Sequence, residues 1–117
     1  MGYNDVYANW QKDPEAFWME AAEAIDWDRK PTKALAESNA PLYEWFSDGM
    51  VNTCWNAVDR HVENGRGEQT AIIYDSPITH TKREISFVEL RNRVATLAGA
   101  LRKKGIEKGD RVIIYMP

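Results

Sequence analysis

"SFVELRNRVATLAGALRKKGIEKGDRVIIYMP", Ser86 to Pro117, holds the signals that decide the fold. Ser86 and Glu89 stand at the S-x-x-E spacing of a capping box, which satisfies the first free N–H groups of a helix. Leu90, Val94, Leu97, Ala98 and Leu101 then fall on one stripe of an amphipathic helix. "RKKG" closes it, with cations at the negative end of the helix dipole and Gly105 suited to the left-handed turn. After "IEKGD", residues 111–116 are apolar on both faces: Val112, Ile114 and Met116 point one way, Ile113 and Tyr115 the other. A strand apolar on both faces belongs inside a sheet covered on both sides. Strand, helix and strand in succession make a right-handed crossover, so 111–116 is expected to run parallel to a strand of the same sheet. With no further chain to pair or cover that strand, the expectation is a fragment that stops in mid-sheet and self-associates when isolated.

The elements upstream complete an α/β pattern. "TAIIYD", residues 70–75, is rich in β-branched and aromatic residues, and "REISF" follows the loop "SPITHTK", so the pair reads as a hairpin with a long connection. "TCWNAVDRHVENG" reads as a helix with Thr53 as candidate cap, a stripe of Trp55, Val58 and Val62, and Gly65 as its end. Residues 26–49 are polar, carry two prolines and isolated aromatics, and read as an extended, irregular segment. Before them, "DPEAFWMEAAEAI" is a second helix: Asp13 caps, Pro14 takes the first position and Glu15 favours the positive end of the dipole. Its stripe is Phe17, Trp18, Ala21 and Ile25. A short first helix is marked by Val6, Tyr7 and Trp10. The fold class is therefore mixed α/β: a helical and irregular extension over 1–52, then over 53–117 a hairpin, a long amphipathic helix and a final strand, an incomplete part of a larger sheet domain.

Composition narrows the function classes. A 44% hydrophobic and 28% charged chain of 117 residues is an ordinary globular composition with a modest core. No apolar run is long enough to cross a bilayer, and the N-terminus lacks the basic start and apolar stretch of a signal peptide. The single cysteine, Cys54, cannot form an internal disulfide and fits a reducing cytoplasm. Residues 1–81 carry 6 basic and 14 acidic side chains, residues 82–117 carry 9 basic and 4 acidic. The basic residues are dispersed and not interleaved with stacking aromatics, so the expectation is no nucleic-acid partner.

Each chemical motif has a plainer structural reading. "NGRGEQT" leaves a helix and enters a strand, the reverse of a phosphate loop, so Gly65 and Gly67 read as turn residues. His61 has neighbouring carboxylates but no nucleophile placed for it, and His80 lies in a polar loop. Two histidines and one cysteine far apart give no metal-ligand spacing. No catalytic, cofactor-binding or metal residue is assigned. The five tryptophans all precede residue 56; they either pin the irregular segment to its own body or anchor a partner.

"EWFSDGMVNTCWNAVDRH", residues 44–61, resembles the acetyl-CoA and propionyl-CoA synthetases of the adenylate-forming acyl-CoA synthetase superfamily. The resemblance rests on Trp45, Phe46, Gly49, Asn52, Asn56 and Asp59-Arg60-His61, and continues through "TAIIYDSP", "SFVEL" and "KGDRVIIYMP". Asp48 stands where the family usually has a glycine. "NTCWNAVDRHVENGRGEQTAIIYDSP" is closer to the propionyl type. The resemblance implies the N-terminal segment of a cytoplasmic enzyme that activates a short carboxylate as acyl-AMP, using ATP and magnesium, and transfers it to coenzyme A. It implies that the rest of that polypeptide is the partner, that no membrane is involved, and that the segment alone is inactive. The alternative reading is a stand-alone interaction module using the aromatic N-terminal region.

Overall fold

The computed structural model describes residues 2–115. Contacts divide the chain into two compact units, Met1–Asn56 and Ala57–Pro117.

In the first unit, helices α1 (Tyr3–Lys12) and α2 (Pro14–Ala22) meet at Asp13. The Asp13 N–H closes α1 on the Asn9 carbonyl, and its carboxylate accepts the Ala16 N–H at 3.0 Å to open α2. Pro14 occupies the first position, where its missing N–H costs nothing. The stripe expected to reach Ile25 stops short: α2 ends at Ala22, and the next residues turn, with the Ile25 N–H on the Ala22 carbonyl. Residues 26–49 are irregular, as their prolines require, but hold a nested pair of small antiparallel ladders. The outer one joins β1 (Trp27–Arg29) to β4 (Met50–Val51) through a bulge, and the inner one joins β2 (Leu35–Ala36) to β3 (Glu44–Trp45). Ala22, Pro31 and Ala34 are buried in this unit.

A helix follows over residues 53–66, and its cap is Asn52, not Thr53. The Asn52 side-chain oxygen accepts the Trp55 N–H at 3.0 Å, one residue earlier than the sequence pattern suggested. Trp55–Asp59 is wound as π-helix, and in the last turn, Val62–Arg66, Asn64 and Gly65 leave helical geometry. The wider π turn breaks the 3.6-residue spacing on which the Trp55, Val58 and Val62 stripe depended. Val58 is buried while Trp55 stays 40% exposed. Gly65, at φ +79°, ends the helix as expected.

The second unit holds the hairpin of β5 (Thr70–Ser76) and β6 (Thr81–Ser86), followed by α3 (Phe87–Lys103). Pairing persists to Ser76 opposite Thr81, so the connection is four residues and shorter than the loop expected over 76–82. Lys82 joins the ladder because its ammonium meets Asp75 across the strands at 3.5 Å. Phe87 is the first residue of α3 and not the last of a strand; its N–H bonds the Gln69 carbonyl. The Ser86 hydroxyl caps α3 through the Glu89 N–H at 3.3 Å, while the Glu89 carboxylate turns to Arg93 at 2.5 Å.

The final strand is the main correction. Residues 111–115 pair with nothing among the described residues, and Met116, the end of the expected strand, lies outside them. Val112, Ile113, Ile114 and Tyr115 are 54%, 90%, 77% and 98% exposed. Without a third strand α3 has beside it, among the described residues, the two-stranded ribbon and the helical turn Val62–Arg66. Leu90, Val94 and Leu101 are half-buried, Ala98 is exposed, and Leu97 is 61% exposed rather than packed on a sheet. The mixed α/β class holds, with small antiparallel sheets in place of the expected larger one. The chain exposes 9902 Å², whereas even two separate compact globules of half its mass would expose only about 7900 Å². Much apolar surface is therefore uncovered.

Candidate functional site

Trp45, Phe46, Gly49, Asn52 and Asn56, which carry the first part of the family resemblance, lie in the first unit, and they do structural work. Trp27 donates its indole N–H to the Ala22 carbonyl at 2.8 Å, which ties β1 to the end of α2. Its ring lies against Phe46, with centroids 5.7 Å apart. Gly49 is needed there, because a β-carbon would come within 2.7 Å of the Trp27 ring. Trp45 packs edge to face on Trp18 at 5.4 Å and beside Phe46 at 6.0 Å. This edge-to-face geometry is the arrangement the ring quadrupoles favour.

Asn56 closes the unit. Its side-chain oxygen accepts the Asp26 N–H at 2.9 Å, and its amide donates to the carbonyls of Asp26 at 2.9 Å and Asn52 at 3.0 Å. One side chain thus holds the start of the irregular segment and the helix that follows it. No propensity rule marks this role; the only sequence signal was the presence of Asn56 in the resemblance.

Asp48 makes a second clasp. Its carboxylate accepts the Thr32 hydroxyl at 2.6 Å and the Thr32 N–H at 3.0 Å, and its backbone carbonyl receives Arg29 at 2.8 Å. The Thr32 hydroxyl and N–H, with Arg29 nearby, hold the Asp48 carboxyl below its ordinary value. The departure from the family pattern at this position therefore has a function in the fold.

The aromatics leave an open cavity of about 610 Å³, lined by Trp10, Trp18 and Trp45 with Lys33, Leu35 and Glu37. Two carboxylates on its wall are already engaged: Asp13 caps α2, and Glu15 accepts the Ala34 N–H at 2.6 Å. A smaller apolar cavity of about 390 Å³ lies among Trp18, Ile25, Trp27, Phe46 and Val51. Trp18 and Trp45 remain 38% and 52% exposed beside their contacts, so the tryptophans both pin the segment and present surface.

In the second unit, the His61 ring lies on Phe87 at 4.6 Å and touches the Arg66 guanidinium. Partial burial, with Arg66 and Arg60 nearby, pushes the imidazole below its ordinary value, so it is neutral at pH 7. A neutral ring packed on Phe87 and facing an arginine has no nucleophile to serve. His80 sits at φ +51° in the hairpin turn. Gly65 and Gly67 form the descending turn into β5 and no phosphate cradle: the loop runs from a helix end to a strand, and the Gly67 carbonyl accepts the Val88 N–H. Among the described residues no group of three or more His, Cys, Asp or Glu side chains could hold a metal ion, and no helix is long and apolar enough to cross a membrane.

Two family models tile this architecture in order. Residues 3–57 match the acetyl-coenzyme A synthetase N-terminus and residues 58–117 match the AMP-binding enzyme family. The chain belongs to the AMP-binding, adenylate-forming enzymes and corresponds to their N-terminal segment. Among individual proteins, it is similar to acyl-CoA synthetase short-chain family member 3, mitochondrial, of Homo sapiens, with 51% identity over 98% of this chain and 17% of that protein. The Bos taurus counterpart is 50% identical over the same shares. The acetyl-coenzyme A synthetase of Paraburkholderia phymatum is 45% identical, again over 98% and 17%. The chain thus spans about one sixth of the length of these relatives.

Proposed function

We propose that this chain forms the N-terminal part of an AMP-forming ligase that activates a short carboxylate with ATP and magnesium and passes the acyl group to coenzyme A. The observation that carries this reading is the uninterrupted tiling of the chain by the two family models, 3–57 and 58–117. That tiling leaves no segment over for the alternative of a stand-alone interaction module. The described residues do not fit ATP, magnesium or coenzyme A: the clustered polar groups are spent on caps and clasps, and the one glycine pair lies in a descending turn. Those groups would be held by chain that follows this segment in the relatives, which is also its natural partner. The segment's own contribution is mechanical, an aromatic brace clasped by Asn56 and Asp48.

Propionate is the proposed substrate in preference to acetate. The support is the likeness of residues 52–77 to the propionyl-type enzymes. A reducing compartment such as the cytoplasm suits the exposed Cys54 thiol; the short-chain family member 3 relatives are themselves named as mitochondrial. The test is a chimera in which this chain replaces the matched segment of the human relative. Acyl-CoA formation from propionate, ATP and coenzyme A by the soluble chimera is expected. A soluble, folded chimera with no activity, beside an active parent, would overturn the assignment. The ratio of kcat/KM for propionate and acetate, measured on the full-length product of the gene that encodes this chain, tests the substrate preference.

A further inference from the structure

The hairpin has two unlike edges. β6 carries Lys82, Arg83 and Glu84 in succession, and charged side chains protect an edge from pairing with foreign strands. β5 reads Thr70-Ala71-Ile72-Ile73-Tyr74-Asp75-Ser76, with a single charge in seven residues. Its free edge is open among the described residues, where β5 pairs with β6 alone. Ile72, Ile73 and Tyr74 are 41%, 65% and 44% exposed. The chain also holds a segment of matching character, Arg111-Val112-Ile113-Ile114-Tyr115, which lies off the hairpin of its own chain and is exposed along its whole length.

We propose that residues 111–115 of one copy add as a third strand to the β5 edge of a second copy, antiparallel, with Arg111 opposite Asp75. This register places Val112 beside Tyr74, Ile113 beside Ile73, Ile114 beside Ile72 and Tyr115 beside Ala71. Side chains alternate between faces along a strand. Ile73 and Ile113 therefore share one face, and Tyr74, Ile72, Val112 and Ile114 gather on the other. A slip of one residue would set Arg111 opposite Tyr74 or Ser76 and leave the charge without its partner. Asp75 already meets Lys82 across the hairpin at 3.5 Å, but both side chains are largely exposed, so its carboxylate can accept a second cation from the open side. Apolar edge, apolar strand and opposite charges at one end thus fix occupant, direction and register. Exchange is reciprocal: each copy gives its segment and receives the other's, which closes a two-fold dimer and leaves no chain growing end.

Light scattering coupled to size exclusion over a dilution series of the 117-residue chain tests this. A reversible dimer is expected, with slowed amide exchange at residues 112–115 in the dimer. Ile113→Pro removes a ladder N–H from a segment exposed in the monomer, so it should leave the monomer's circular dichroism unchanged and abolish the dimer. Arg111→Glu should weaken association by about tenfold or more through like-charge juxtaposition, and combining it with Asp75→Lys should recover most of the loss. A monomer at every concentration overturns the proposal. If its amides at 112–115 are nonetheless protected, the strand is satisfied within its own chain. A dimer that survives Ile113→Pro uses another surface and overturns it equally.

Discussion

Asn56 concentrates more of the first unit's geometry than any other single side chain. It offers one acceptor and uses both amide hydrogens, and all three bonds go to backbone at residues 26 and 52. Asn56→Asp keeps the shape and the acceptor but replaces the donor with a carboxylate facing two carbonyls. The expected cost is about 1–3 kcal/mol in a denaturant titration; an unchanged midpoint would show that the loop is held elsewhere. Asp48 makes a prediction in pH. Its folded pKa lies below the ordinary 3.8, so its contribution is complete above that value and is lost as the pH falls below it. Asp48→Asn should lower the melting temperature at neutral pH and flatten its decline in acid. Parallel acid limbs in the two proteins would remove Asp48 from the account. Both roles were invisible in the sequence. Capping at Asp13 and Ser86 is local and has a spacing rule, whereas Asn56 and Thr32 reach partners 30 and 16 residues away that no pattern specifies.

At the scale of elements, what was legible depended on whether an element's reasons are local. Helices α1, α2 and α3 form where local signals place them, with side-chain caps at Asp13 and Ser86, although α2 ends at Ala22 and short of Ile25. The hairpin is legible as well, except for the extra pair of residues that the Asp75 and Lys82 attraction adds. The helix over 53–66 was readable in extent but not in winding, because periodicity arguments assume 3.6 residues per turn. The expected final strand fails over the described residues 111–115 for a different reason. Its pattern is that of a sheet interior, and a strand has no hydrogen bonds of its own to hold it without a neighbour. Leu97 shares that dependence. Leu97→Ala, at a position 61% exposed, should move the denaturation midpoint by no more than about 0.5 kcal/mol in stability. Ile85→Ala, at 7% exposure beneath α3, should cost about 2 kcal/mol or more. Equal effects would mean that the inward face of α3 has been misjudged. Ser86→Ala tests the cap separately, at an expected cost of about 1 kcal/mol.

For the whole molecule, the same surfaces explain both what the chain lacks and what it offers. The Asn56 and Asp48 clusters have structural tasks and aromatic surface beside them is half-covered, which is what the proposed brace requires. Adenylation needs preorganised donors around phosphate oxygens as charge redistributes. Three arginines of the second unit are engaged in the fold: Arg66 faces His61, Arg91 pairs with Glu63 at 3.1 Å and Arg93 with Glu89. The isolated 117-residue chain should therefore release no pyrophosphate from ATP, with or without propionate, above the level of a buffer blank. The decisive control is addition in trans of the human relative lacking its matched segment. If the brace acts by packing, mixing the two should restore acyl-CoA formation, and restoration should weaken when Trp45, 52% exposed on the rim of the larger cavity, is replaced by alanine. Large aromatics that anchor an interface cost more than about 1 kcal/mol when truncated, about a fivefold or greater loss in affinity. Pyrophosphate release by the chain alone would show that chemistry resides in this segment after all, and the assignment of a purely mechanical role would fall.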